Sequence, residues 1–228
     1  HMYHQGIGGV SFVLCNTDAQ ALRNSPVPVK VQLGAKGEGA GNIPEVAKKL
    51  AEESAAEVEA LFDDNTRMAF ITAGMGGGTG TGAAPVVARI AKEKGVLTVG
   101  IVTIPFLFEG EPKILQAFAG VEEMRKHVDA LLVINNERLC KIYPDLSWTT
   151  AFAKADDSLS NAARSIAELV SKDGKINLDF ADVRTTLKDG GAAVISTGSG
   201  EGEHRMSRAI QNALTSPLLK ESDIYGAE

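Results

Sequence analysis

Apolar residues fall in two rhythms along this chain. Short, largely apolar runs at 10–15, 68–72, 96–104 and 130–134 read as strands, those at 68–72 and 96–104 of the buried type found in parallel sheets. Between them apolar side chains recur every three or four residues. That period predicts helices at 84–94, stopped by Gly95, at 112–127, and at 150–171 with Leu159, Ile166 and Leu169 on one side. An earlier helix is predicted from an Asn42 N-cap to Phe62, with Pro44 and Glu45 in its first turn and Val46, Leu50, Val58 and Leu61 at helical spacing. A Pro-containing extended stretch at 26–33 and a loop carrying Gly34, Gly37, Gly39 and Gly41 precede it. After the long helix come a polar turn at Asn177, a short helix at 182–188, a strand at 192–196 and a final helix at 204–214. Repeated strand–helix–strand units predict an α/β fold with a parallel, Rossmann-like sheet covered on both faces. The long helix divides this sheet from the C-terminal segment, and neither a repeat nor a low-complexity linker interrupts the pattern.

Composition narrows the classes. The 228 residues are 44% hydrophobic and 23% charged, with a net charge of −6, the balance of an ordinary globular protein. That charge argues against wholesale attraction to nucleic acid or to an anionic membrane. No apolar run is long enough to span a bilayer and no signal-peptide pattern opens the chain, so a cytoplasmic protein without membrane insertion is expected. Cys15 and Cys140 stand far apart without metal-ligand company and read as buried thiols. The histidines form no constellation. His127 follows Arg125 and Lys126 near a helix end, and Glu201, Glu203 and His204 read as a solvated turn.

The concentrated signal is GMGGGTGTG at 74–82, between the strand ending near Ala73 and the helix beginning near Ala84. Glycines let a backbone approach closely and turn its N–H groups inwards, and a helix N-terminus adds positive potential. Such a loop suits a di- or triphosphate, and Thr79 and Thr81 add donors. A P-loop is excluded because the segment holds no lysine. A dinucleotide fingerprint can be laid on 78–83. However, the stretch about 20 residues on, where the ribose-binding acid belongs, carries none at 97–103.

GGGTGTG is the bacterial form of a third phosphate loop, and it is not alone. NTDAQAL at 16–22, GAGNIPE at 39–45, PFLFEG at 105–110, NLDFADV at 177–183 and SPLL at 216–219 match in order and spacing. From Val10 onward the chain resembles the tubulin/FtsZ family of GTPases in its bacterial cell-division form. The resemblance implies GTP/GDP as the ligand, with phosphates at Gly76, Gly77, Gly78, Thr79, Gly80, Thr81 and Gly82, and Gly41 and Asn42 sensing the terminal phosphate. Glu109 would meet the ribose. Lys113 stands where the family usually has an arginine near sugar or phosphate. By itself it reads equally as a solvated helix-start lysine. Asn136, Phe152 and Asp156 would recognise guanine. A carboxylate can accept from both the N1–H and N2–H₂ edge that adenine lacks, and Phe152, one turn before Asp156, can stack on the base. By residue type alone Phe152 reads as a packing aromatic. Asp157 points elsewhere on the helix and is expected to be dispensable.

Asn177, Asp179 and Asp182 look, by themselves, like helix caps and first-turn acids. The resemblance implies instead that they enter the nucleotide site of the next subunit of a head-to-tail polymer and position the attacking water. Mg²⁺ would be held mainly by phosphates and water, with no dedicated metal ligands. The implied domains are 1–148 for nucleotide binding, 149–174 as a connecting helix, and 175–228 as catalytic loop and start of a second domain.

The resemblance also implies a strand and a second glycine loop before His1, so the strand at 10–15 is expected to lack a neighbour. A true fragment of this extent is expected to bind nucleotide weakly and to form little or no filament. Membrane-tethering and regulatory division partners would use a C-terminal tail beyond this sequence. Two rivals are a non-polymerising GTP-binding adaptor, which has no need of Asp179 and Asp182, and a tubulin-like filament that moves plasmid or phage DNA. A nicotinamide-linked oxidoreductase is disfavoured by the absent ribose acid and the absence of a catalytic His or Tyr constellation.

Overall fold

In the computed structural model, which describes residues 2–142, 147–171, 179–193 and 198–214, the apolar runs become parallel strands. Strand β1 (Val13–Asn16) is followed by helix α1 (Ala19–Asn24) and strand β2 (Val29–Gln32). Helices α2 (Pro44–Glu53) and α3 (Ala55–Glu59) lead to β3 (Met68–Gly74), α4 (Gly78–Glu93) and β4 (Leu97–Ile104). After one 3-10 turn at Leu107–Glu109 come α5 (Glu111–Arg125), β5 (Ala130–Asn135), α6 (Glu137–Ile142) and α7 (Trp148–Ser171). The chain continues with α8 (Phe180–Leu187), β6 (Gly191–Ala192) and α9 (Arg205–Leu214).

The strands form two parallel sheets, β1-β2 and β3-β4-β5-β6. The strand expected to lack a neighbour has one, because Val13 to Asn16 pair with Val29 to Gln32. Among the described residues no pairing joins β1 to β3. Strand β4 is covered on both faces by strict alternation. Val102 and Ile104 meet Ala84 and Ala88 of α4 and Ala117, Val121 and Met124 of α5. Val99 and Ile101 meet Ala162, Ala163, Ile166 and Ala167 of α7. A third cluster joins Leu33 and Val31 to α2, α3 and the outer side of α4, and takes in Cys15 and Ile71 from β1 and β3. The two sheets therefore share one core although their strands do not pair.

Several local expectations shift. Helix α4 starts at Gly78, six residues before the predicted start. The glycines at 78, 80 and 82 therefore lie inside the first turns of a helix, where their cost in helix propensity is offset by packing that tolerates no side chain. A Cβ on Gly82 would collide with the Pro44 carbonyl, and one on Gly78 would come within 2.9 Å of Ile43 N. The N-cap of α2 is Ile43; Asn42 lies just outside, in the left-handed region at φ 62°. The predicted helix to Phe62 breaks at Ser54, whose buried hydroxyl accepts from Gly34 N at 2.9 Å. Two helices went unforeseen. In α1 the Asp18 carboxylate caps Gln20 N at 2.7 Å, and α6 fills the span after β5. The predicted helix at 182–188 runs instead over Phe180–Leu187. Of the predicted strand at 192–196, residues 194–196 lie outside the described residues, as do Gly174, Asn177 and the SPLL segment.

Both cysteines are free, and burial pushes the Cys15 thiol up to about 11.

Candidate functional site

The carboxyl ends of β1, β3 and β4 converge on the N-terminus of α4, with the end of β5 beside that of β4. Open parallel sheets place ligands in this position, because loops leave the strands there and helix N-termini point at them. Thr17, 1% exposed after β1, holds its hydroxyl 2.7 Å from that of Thr79 in the first turn of α4. Met75 N donates to Thr103 O at 2.9 Å and Gly76 N to the Thr81 hydroxyl at 2.9 Å. Thr81 is thus committed to shaping the loop from within. Gly76 takes φ +100°, and a Cβ there would lie 2.8 Å from Lys113 O, so a side chain is excluded by conformation and by space. Gly77 meets only Asn42 Oδ1, at 3.8 Å from a built Cβ, so Asn42 lies across the loop mouth. The N–H groups of Gly77, Gly78, Thr79 and Gly80 find no acceptor among the described residues, as expected of a helix start. They give the site four donors and the positive end of a 16-residue helix.

Beside this cradle lies the turn after β4. Glu109 Oε1 accepts from Phe106 N at 3.0 Å, and its Oε2 lies 3.5 Å from Lys113 Nζ. Half of Glu109 is therefore a local cap, and the other half forms an ion pair with the lysine one turn on. On the far side of the turn Asn136 is 5% exposed. Its backbone N–H reaches Ile104 O at 3.2 Å, but its side-chain Oδ1 is buried with no donor. A buried amide oxygen left unpaired costs free energy, and a ligand N–H would relieve it. Phe152 packs in a cluster with Phe106, Leu139, Ala151 and Ala155, meeting Phe106 edge to face at 5.3 Å between centroids. The packing role is therefore real, as its residue type suggested. Asp156, one turn further along α7, reaches the surface. Partial burial pushes its carboxyl up, and the charge of Asp157 adds to this.

Asp157 is not idle. Its Oδ1 accepts from Gln5 Nε2 at 2.9 Å, while Arg164 donates to Gln5 O at 3.3 Å and to Gln5 Oε1 at 3.1 Å. Asp157, expected to be dispensable, thus points away from Asp156 and ties the N-terminal turn to α7. No local pattern signals this, since the partners are 152 residues apart.

Asp179 and Asp182 lie elsewhere. Asp179 N donates to Asp182 Oδ2 at 3.2 Å, so the pair caps the start of α8, and both side chains are exposed. Just inside α8, Phe180 lies under the Arg67 guanidinium at 4.6 Å. Arg67 O in turn accepts from Leu97 N, at the amino ends of β3 and β4. The seven residues of β3 span about 20 Å. The aspartates and the glycine loop therefore occupy opposite ends of the sheet. Among the described residues no group of three or more His, Cys, Asp or Glu could hold a metal ion. No described helix is long and apolar enough to cross a membrane.

A doubly covered parallel sheet whose strand ends feed a glycine loop and an unpartnered helix N-terminus defines a phosphate-binding α/β domain. Residues 2–144 match the GTPase domain of the Tubulin/FtsZ family, and the chain belongs to that family. It is 64% identical over 231 residues to the cell division protein FtsZ of Porphyromonas gingivalis, a match that covers 100% of this chain and 50% of that relative. The chain thus spans about half the length of that relative. Among solved structures it is similar to the empty FtsZ dimer of M. jannaschii, with TM-score 0.90 and 45% identity, covering 96% of this chain and 64% of the other. It is also similar to CetZ2 of Haloferax volcanii, solved as a GTPγS-bound protofilament, with TM-score 0.74 and 25% identity over 88% of this chain and 61% of that one.

Proposed function

We propose that the chain is the GTP-binding and GTP-hydrolysing part of a cytoplasmic filament protein of bacterial division, and that its active site is completed by a second copy docked head to tail. The observation that carries this reading is the separation of the two halves of the site. The donor cradle at 76–82 and the exposed Asp179–Asp182 pair lie at opposite ends of β3 in one chain, so one copy cannot apply both to the same phosphate. Stacking a second copy end to end brings one half to the other. The named relatives, a cell division protein and a GTPγS-bound protofilament, support the same assembly.

In this reading residues 1–148 hold nucleotide, 149–174 connect, and 175–228 supply the catalytic loop. The free N–H groups of Gly77 to Gly80 donate to phosphate oxygens, with Gly76, Thr81 and Gly82 shaping the turn and Gly41 and Asn42 closing over the terminal phosphate. Glu109 meets the ribose, and Lys113 serves sugar or phosphate as a point charge without an arginine's planar fork. Asn136 Oδ1 gains the donor it lacks from the guanine edge, which Asp156 reads, and Phe152 adds an aromatic face. Mg²⁺, held by phosphates and water, would supply charge neutralisation. Asp179 and Asp182 of the neighbouring copy, with Asn177, orient the attacking water; its oxygen bonds the γ-phosphorus as the bridge to the β-phosphate breaks, giving GDP and phosphate. Docking at the division site and to tethering partners belongs to the same reading.

Mixing two variants tests it. Asp182→Ala should bind GTP and not hydrolyse it, and a Gly78→Val chain should fail to bind. Their mixture should recover part of the turnover. A mixture as inactive as either variant would contradict a shared site.

A further inference from the structure

Gln116 of α5 reaches into the site without being part of any motif. Its side-chain Nε2 donates to Gly76 O at 3.0 Å and to Asn42 O at 3.4 Å. Both partners are carbonyl oxygens, so only the NH₂ end of the amide can face them. The 76–77 peptide is trans, so its C=O and N–H point in opposite directions. With the carbonyl drawn to Gln116, the Gly77 N–H is turned away from α5. The two N–H groups before it are already used, by Thr103 O and the Thr81 hydroxyl. Gly77 N–H is therefore the first free donor of the loop, and the orientation of one peptide decides whether it joins the first-turn amides of α4.

We propose that Gln116 is a positioning residue: it fixes the 76–77 peptide so that Gly77 N–H faces the nucleotide phosphates, and its second donation ties the phosphate loop to the 41–43 turn. The proposal rests on the nucleotide reading above and deepens it. Glycine at 76 leaves this peptide free to rotate, since its φ of +100° is one of several conformations open to that residue. An external clamp is what a preorganised donor needs. Holding Asn42 O with the same amide couples the two loops that would face the terminal phosphate.

The test compares the unsubstituted chain with Gln116→Leu, which loses both donations, and Gln116→Glu, which sets a carboxylate against two carbonyls. GTP affinity is measured directly, guanosine affinity by competition, and the Gly77 amide resonance by nitrogen–proton correlation spectra without nucleotide. The proposal predicts that Gln116→Leu lowers GTP affinity by about tenfold or more, as for a lost hydrogen bond to a charged group. Guanosine affinity should stay within about twofold, since its recognition lies elsewhere. The Gly77 resonance should move in both variants while the melting temperature barely changes. Equal losses for GTP and guanosine, or an unmoved Gly77 resonance, would overturn it. If the unsubstituted chain binds neither GTP nor guanosine, the nucleotide reading fails, and the Gly77 resonance still decides whether Gln116 holds the peptide.

Discussion

Asp156 and Asp157 are adjacent on one helix and do unlike work. Asp157 joins Gln5 and Arg164 in holding the N-terminal turn, so Asp157→Ala should lower stability by about 1–2 kcal/mol through a lost part-buried hydrogen bond. Chemical denaturation measures this, and base preference should not change. Asp156→Ala should instead abolish the preference for GTP over ATP, with a melting temperature close to the unsubstituted chain's. The Asp156 carboxyl titrates above its usual range because burial disfavours the charge. Its protonated form loses an acceptor for the guanine edge, so GTP affinity should fall as pH drops through this raised value. In Asp156→Asn that step should vanish. The place of the glycine loop between a strand and a helix was legible in the sequence because glycine and threonine at that spacing have few other uses. Gln116 was not: its partners, Gly76 and Asn42, are 40 and 74 residues away and are backbone atoms, which no side-chain pattern reports.

At the scale of elements, the six-glycine segment divides its labour. Gly74, Gly76 and Gly77 lie ahead of the helix, whereas Gly78 and Gly82, one turn apart, form the surface where α4 touches the start of α2. Gly82→Val should therefore destabilise the domain by about 2–3 kcal/mol by overpacking, seen as a lowered melting temperature with or without nucleotide. At the other end of α4, Lys92 Nζ lies 3.2 Å from Asp129 and 3.1 Å from Asp189, joining this helix to the turn after α8. Lys92→Met leaves Asp129, whose side chain is 6% exposed, without its cation and should cost about 1–3 kcal/mol. The strands and long helices were legible because β3, β4 and β5 are apolar on both faces and α7 keeps its period. Element starts were less so. Propensity argued against a helix beginning with three glycines in five residues, and packing against α2 overrode it. Helices α1 and α6, six residues each, are too short for periodicity to register.

Over the whole molecule the parallel sheet sets a polarity. Every described strand pair runs the same way, so the unpartnered amides of the glycine loop gather at one end and the aspartates that cap α8 at the other. The proposed head-to-tail docking would join these unlike ends, a heterologous contact that extends into a filament where its rotation does not close a ring. The chain therefore predicts a catalytic rate that depends on assembly. The most direct measurement is GTP turnover per chain against protein concentration, with Mg²⁺ present and ATP as the control. Specific activity should rise from near zero above a threshold concentration, and ATP should give none. Specific activity that stays flat across the same range would mean that one chain carries the whole site, and the shared-site account would be wrong.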